Sequence, residues 1–186
     1  MQPAPEFSLY DQLIALPEGL TGEILNGQLH TQPRPSGPHT WVESALESEL
    51  FAPFSRGRGG PGGWWILIEP EVHFVIDREI CVPDIAGWRR ERMPAIPEGH
   101  RFTVAPDWVC EILSPSTASK DREIKMPIYA HYGVNHIWLV DPKARTLDVF
   151  ENREGEWVQC ATYRDNDPVV AAPFEAVTIK LGDLWT

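Results

Sequence analysis

The chain has 186 residues, enough for one domain with a substantial core. A hydrophobic content of 42% and eight tryptophans indicate a globular protein, and no apolar run approaches the roughly 20 residues that a membrane-crossing helix needs. The net charge of −11 argues against a protein that coats nucleic acid without specificity, because neutralising phosphates takes Lys and Arg. It leaves room for an enzyme with a local basic groove, and a carboxylate cluster around a metal also counts as acidic.

The N-terminal MQPAPEFSLYDQ lacks a basic region followed by an apolar one, so no secretory leader is expected. The three cysteines, Cys81, Cys110 and Cys160, form neither a CxxC nor a zinc-like pattern. They read as structural thiols of a reducing compartment, which places the protein in the cytoplasm.

Residues 1–7 are Pro-rich and read as loose. A helix is expected over Ser8–Leu16, capped by Ser8, with Leu9, Leu13 and Leu16 at helical spacing. Gly22–His30 reads as a hairpin around Asn26-Gly27. Residues 33–38 (PRPSGP) form a rigid loop, and a helix follows over His39–Phe51 with Val42, Leu46 and Leu50 as its stripe. The glycine-rich residues 55–63 (SRGRGGPGG) form the most flexible stretch; they read either as a solvated loop or as a contact for phosphate, and no GxxxxGK(S/T) is present. Trp64–Glu69 and Glu71–Ile76 are strand-like and separated by Pro70. Pro83-Asp84 leads into a short apolar strand, and residues 89–101 are a charged loop. Further hairpin-like strands are expected over Thr146–Asn152, Glu156–Tyr163 and Val169–Val170, and Val177–Leu181 and Leu184-Trp185 finish the chain. No internal repeat or second core is visible.

Asp107–Pro142 (DWVCEILSPSTASKDREIKMPIYAHYGVNHIWLVDP) organises the rest. Trp108–Leu113 is apolar at nearly every position, as in a strand covered on both faces, apart from Glu111. A carboxylate there is costly unless a cation or donor cluster meets it. Ser114-Pro115 ends the strand, and Ser116, Thr117 or Ser119 can cap a helix over Ala118–His131. Asp121, Lys125, Ile128, Tyr129 and Tyr132 share one broad face of it, Pro127 should remove a hydrogen bond and kink it, and Gly133 ends it. Asn135–Val140 is a second buried strand, so a crossover between parallel neighbours is expected. The architecture predicted is a mixed α/β fold: one sheet flanked by helices, with additional N- and C-terminal hairpins, in a single domain over residues 1–186.

Asp84 and Glu111 each enter or interrupt an apolar strand, and two carboxylates on adjacent strands can meet at one point. Magnesium is often held by one or two carboxylates together with substrate phosphate. Lys125, near the same end of the sheet, suits orienting a water or stabilising developing negative charge. Such a set suits metal-assisted phosphodiester hydrolysis. Each residue has a plainer reading: Asp84 opens a turn, Glu111 pairs with an arginine inside the sheet, and Lys125 pairs with Asp121 one helical turn away.

The order Pro83-Asp84, Glu111-Ile112-Leu113-Ser114-Pro115-Ser116-Thr117, Asp121, Lys125, Tyr129, Gly133-Val134 and Trp138-Leu139-Val140-Asp141-Pro142 resembles the Uma-type (Uma-two) family of bacterial endonucleases, of the PD-(D/E)XK restriction-endonuclease-like superfamily. Gly22–Gly27, His39 and Glu69-Pro70-Glu71-Val72 fit the same pattern, and the resemblance covers about residues 8–150. It implies a restriction-endonuclease-like core with Asp84 and Glu111 as ligands of magnesium or manganese and the Ile112 carbonyl as a further ligand. Leu113 stands where the superfamily has lysine, which makes Lys125 the candidate, with Lys120 as the alternative. Glu23, His39, Ser114 and Asp121 are secondary candidates. The implied partner is nucleic acid, DNA before RNA, with no membrane, and a homodimer suits cleavage of two strands. Two other functions stay open: a non-catalytic interaction or DNA-binding module that retains the fold, and a metal-dependent hydrolase of small phosphorylated molecules.

Overall fold

The computed structural model describes residues 7–186. The loose segment expected over residues 1–7 therefore lies, except for the exposed Phe7, outside the described residues. Helix α1 (Leu9–Ile14) opens on the predicted Ser8 cap: the Ser8 hydroxyl accepts from the Asp11 amide, and the Asp11 carboxylate accepts from the Ser8 amide. It stops two residues short of Leu16, with Ala15 as its C-cap.

The first hairpin is longer than predicted. β1 (Leu20–Leu25) pairs with β2 (Gln28–Pro33) through Asn26-Gly27, both at positive φ, 50° and 74°. Such a two-residue turn matches the twist of its strands. Helix α2 (Gly37–Leu50) starts earlier than His39, because Pro38 fits a first helical turn where its missing N–H is not needed. It runs into a π-helical turn, Phe51–Ser55. The loop after it is solvated over residues 56–59, and it closes on the π turn at Gly60, where a Cβ would lie 2.5 Å from Pro53 Cβ, so only glycine fits there.

The expected single sheet is two. The larger has the order β11-β10-β9-β8-β6-β3, with β3 (Trp64–Ile68), β6 (Ile85–Arg89), β8 (Trp108–Ile112), β9 (His136–Asp141), β10 (Thr146–Arg153) and β11 (Glu156–Arg164). β8 and β9 are parallel, as the crossover reading requires; the other pairs are antiparallel. The second sheet has the order β2-β1-β5-β4-β7, with β4 (Glu71–Val75), β5 (Glu79–Cys81) and β7 (Arg101–Phe102). β5 and β7 are three and two residues long, too short for alternation to show. β7 falls in the segment read as a charged loop and pairs with β4 in parallel. A short pair, β12 (Pro168–Val169) and β13 (Ile179–Lys180), precedes a 3-10 turn over Leu181–Leu184.

The crossover helix runs over the predicted residues in three pieces: α3 (Ala118–Lys120), a π turn (Asp121–Lys125) and α4 (Met126–His131). Pro127 does not interrupt a helix interior as expected. It sits in the first turn of α4, directly after the π turn, where its missing amide is tolerated.

Two apolar clusters cover the faces of the larger sheet. On one, α2 and the C-terminal segment pack on Trp108, Cys110, Ile112, Trp138 and Val140. On the other, α4 and the second sheet pack on Val109, Leu113, Ile137 and Leu139. A smaller cluster seats α1 on Ile24 and Ile80.

Candidate active site

Glu111 sits on β8 at the parity of Val109 and Leu113, so its side chain points toward α4 instead of α2. It is 2% exposed. No arginine pairs with it among the described residues. Lys125 Nζ lies 2.7 Å from Oε1, and the Tyr129 hydroxyl donates to the same oxygen. Lys125 and Tyr129 are four apart, one on the π turn and one on α4, and both are buried.

Lys125 is shared. Its ammonium also lies 2.9 Å from Glu23 Oε1 and donates to the Val82 carbonyl at 3.2 Å, whereas Asp121, the partner that helical spacing suggests, is 3.9 Å away. Glu23 projects from β1, accepts from the Val82 amide, and holds Lys120 with its other oxygen at 2.5 Å. Lys120 donates as well to Gln32. Burial by itself would raise the Glu23 carboxyl, but Lys125 and Lys120 hold it below the usual carboxylate range. Burial pushes Glu111 well up, Asp121, Asp84 and Glu23 add to this, and Lys125 offsets part of it. Burial draws Lys125 down, yet Glu111, Glu23 and Asp121 keep its ammonium protonated well beyond its ordinary range.

Asp84 precedes β6, and the antiparallel register that sets Ile85 against Cys110 brings it to the end of β8. It is not a turn-capping residue. Oδ2 accepts from the Ile112 amide at 2.6 Å, and Oδ1 lies 3.0 Å from His39 Nε2. It is thus Ile112's amide that is tied to the site. His39 stands in the first turn of α2; burial alone would lower its pKa, but the hydrogen bond to Asp84 and that carboxylate's charge raise it.

Asp121 is 3% exposed, and its pKa is raised by burial against the pull of Lys125 and Lys120. The Ser114 hydroxyl is 3.0 Å from those of Ser116 and Thr117 and makes no bond to the carboxylates.

A cleft of about 230 Å³ gathers these groups: Asp84, Glu111, Asp121, Lys125, His39 and Ser114 all line it. Glu23 and Lys120 stand outside that wall. Glu23 faces a neighbouring hollow that also reaches Asp84, and Lys120 is bound to it. Among the described residues, no three His, Cys, Asp or Glu side chains stand where they could jointly hold a metal ion. The hard oxygen donors facing the cleft are Asp84, Glu111 and Asp121. A cation with one or two protein carboxylates, completed by water and substrate oxygens, suits this set.

Sequence reasoning overlooked three participants. Tyr129 is part of the helix pattern, but its bond to Glu111 needs the π turn to be known. The Val82 carbonyl left no signal. Glu43 did leave one: it is four residues after His39 on α2, hence on the same face. It is buried, its Oε1 has no partner among the described residues, and burial together with Asp84 and Glu69 raises its pKa to about 7.

A family model described as "Putative restriction endonuclease" (Uma2) matches residues 7–182. No curated protein matches the chain. Among solved structures, one described as a putative nuclease belonging to DUF820, from Anabaena variabilis ATCC 29413, is similar with a TM-score of 0.74 and 24% identity, over 96% of this chain and 97% of that one. At that identity the likeness speaks for the fold alone, which is of the mixed α/β kind expected, sheets flanked by helices. The family match spans nearly all of the sequence, and the chain belongs to the Uma2 family.

Proposed function

We propose that the protein is a metal-dependent endonuclease that hydrolyses phosphodiester bonds in nucleic acid, DNA before RNA. The observation that carries this reading is convergence: Asp84, Glu111 and Lys125, far apart in sequence, line one cleft together with His39 and Asp121. In this reading Asp84 and Glu111 hold magnesium or manganese, with the Ile112 carbonyl as a further ligand. When bound, such an ion would supply Lewis acidity toward a phosphoryl oxygen and toward a bound water.

The remaining roles belong to the chain. His39 and the Ile112 amide fix the two oxygens of Asp84. Tyr129 and Lys125 fix Glu111. Lys125, whose ammonium lies 2.7 Å from Glu111 and 2.9 Å from Glu23, acts as a buried positive charge that orients the attacking water and stabilises charge on the phosphoryl group. Glu23 and Lys120 position Lys125. A single catalytic domain in the cytoplasm that acts on both strands of a duplex would work as a two-fold dimer, which light scattering tests.

A second reading, a non-catalytic nucleic-acid-binding or interaction module, is favoured by two observations. Leu113 occupies the superfamily's lysine position, and the Lys125 ammonium is already engaged by Glu111, Glu23 and Val82.

Calorimetric titration with manganese, of the parent and of Asp84→Asn, with circular dichroism to check folding, separates the two. The nuclease reading expects binding by the parent and its loss in the folded variant; equal binding by both overturns the ligand assignment. Asp84→Ala and Glu111→Ala are then expected to abolish metal-dependent cleavage of DNA offered both as a plasmid and as a single strand, and undiminished cleavage by both removes the catalytic reading.

A further inference from the structure

The acidic cleft continues past His39. Ser36, His39, Ser114 and Pro115 line both it and a second hollow of the same size, about 230 Å³. The second hollow differs in character. Pro38 and Val42 of α2, Leu113 at the end of β8, Pro142 after β9 and Trp185 give it apolar walls. Trp185 is partly buried against the core, and its indole N–H donates to the Asp165 carbonyl at 2.6 Å, so the ring is fixed in place.

The charges around the two hollows follow a pattern. Lys143 and Arg145 border the apolar one, and Arg34 borders the acidic one. All three are exposed, and none has an ion-pair partner among the described residues. In a chain of net charge −11, uncommitted cations bordering a carboxylate-lined cleft and the hollow that adjoins it match a polyanion whose backbone crosses the site. An apolar hollow beside that path does not match a phosphate or a sugar. It matches the flat face of a base, which stacks on aromatic and apolar side chains whatever its sequence.

We propose that the second hollow is a nucleobase subsite. It takes one unpaired base beside the phosphodiester lying at Asp84 and Glu111, with Trp185 as the stacking surface and Lys143 and Arg145 on the adjoining phosphates. The proposal rests on the nuclease reading and adds its substrate class: a single-stranded or frayed segment, since a base inside a duplex stack cannot enter.

Fluorescence anisotropy tests it, with calcium in place of magnesium and three labelled ligands: a short single strand, the corresponding duplex, and a strand of the same length whose central nucleotides are abasic. The single strand should bind about 10-fold tighter than either of the others. Trp185→Leu keeps apolar packing but removes the ring; it should weaken single-strand binding about 10-fold and leave abasic binding unchanged, while Trp185→Phe should stay within about 3-fold of the parent. The double variant Lys143→Ala/Arg145→Ala should weaken both strands and reduce the salt dependence. Thermal melts confirm that each variant is folded. Equal binding of duplex and single strand, or Trp185→Leu behaving like the parent, overturns the subsite and leaves the nuclease reading standing. A folded protein that binds none of the three overturns the nucleic-acid reading and the subsite with it.

Discussion

The two faces of β8 are held in opposite ways. Toward α2, Trp108, Cys110 and Ile112 are at most 1% exposed and join a wholly apolar cluster. Phe174 is its hub, with ring centroids 4.6 Å from Phe54, 5.0 Å from Trp64, 4.9 Å from Trp108 and 5.6 Å from Trp138. The Trp108 indole N–H is the one polar atom of that strand face without a partner among the described residues. Toward α4, Val109 and Leu113 flank Glu111, which is as deeply buried but lives among charges. One face is stabilised by removing area from water, roughly 25 cal/mol per Å² of apolar surface. On the other, desolvation works against the fold and is offset by paired charges and hydrogen bonds, so its net contribution to stability is small while its sensitivity to losing a partner is large.

Removing one charge should therefore give the largest loss. Lys125→Met leaves Glu111 without its cation and Glu23 with Lys120 alone; about 3–5 kcal/mol of stability should be lost in urea unfolding. The double variant Lys125→Met/Glu111→Leu should regain about half of that, because no unpaired charge is left at β8. If the double variant is no better than the single one, the contrast between the faces is wrong.

Phe174→Ala probes the apolar face. Its loss should also be about 3–5 kcal/mol, but constant between pH 5 and pH 8 and without rescue by any charge change. A marked pH dependence would mean that charge reaches that face as well.

Glu43 sharpens the boundary between the two, since its helix also supplies Val42 and Leu46 to the apolar cluster. Its folded pKa of about 7 lies above the ordinary 4.5, so the folded state binds the proton more tightly than the unfolded chain. Stability should fall as pH rises between those values, and Glu43→Gln should remove that slope. The variant should be more stable than the parent by about 1–2 kcal/mol at pH 8, with most of the gain gone at pH 5, as read from thermal melts. An unchanged slope would place the charged region's influence short of α2.

The charged face was also the part less legible in the sequence. Strand, helix and strand over residues 108–141 were readable because each is long enough for its period to show, and Asn26-Gly27 announced its turn through the positive φ it needs. Glu111 was conspicuous as a carboxylate in an apolar run. Its partners were not, because Lys125 sits four residues after Asp121, a spacing that ordinary surface pairs share. Glu23, Val82 and Gln32 reach the site only through the second sheet, whose registering strands β5 and β7 are too short to carry a pattern. Pro127 pointed to a kink; the chain instead widens the turn before it.

That widened turn has a consequence for how the site tolerates change. A π turn holds one residue more than an α turn, so the helix behaves as two α segments joined with an inserted residue between them. Exposed side chains such as Arg122 and Glu123 can be exchanged without altering this phase. Deleting either would let the segment close into a continuous α-helix with its flanking segments still in phase, because the turn gives up only the residue it held in excess; deleting Met126 from α4 would instead turn Tyr129 by roughly 100° relative to Lys125. Lys125 and Tyr129 could then no longer meet at Glu111, and the constellation would be dismantled with all of its charged side chains still present. The site is thus written as much in the spacing of the chain as in its residues: the wide turn can give up a residue, and the α turn after it cannot.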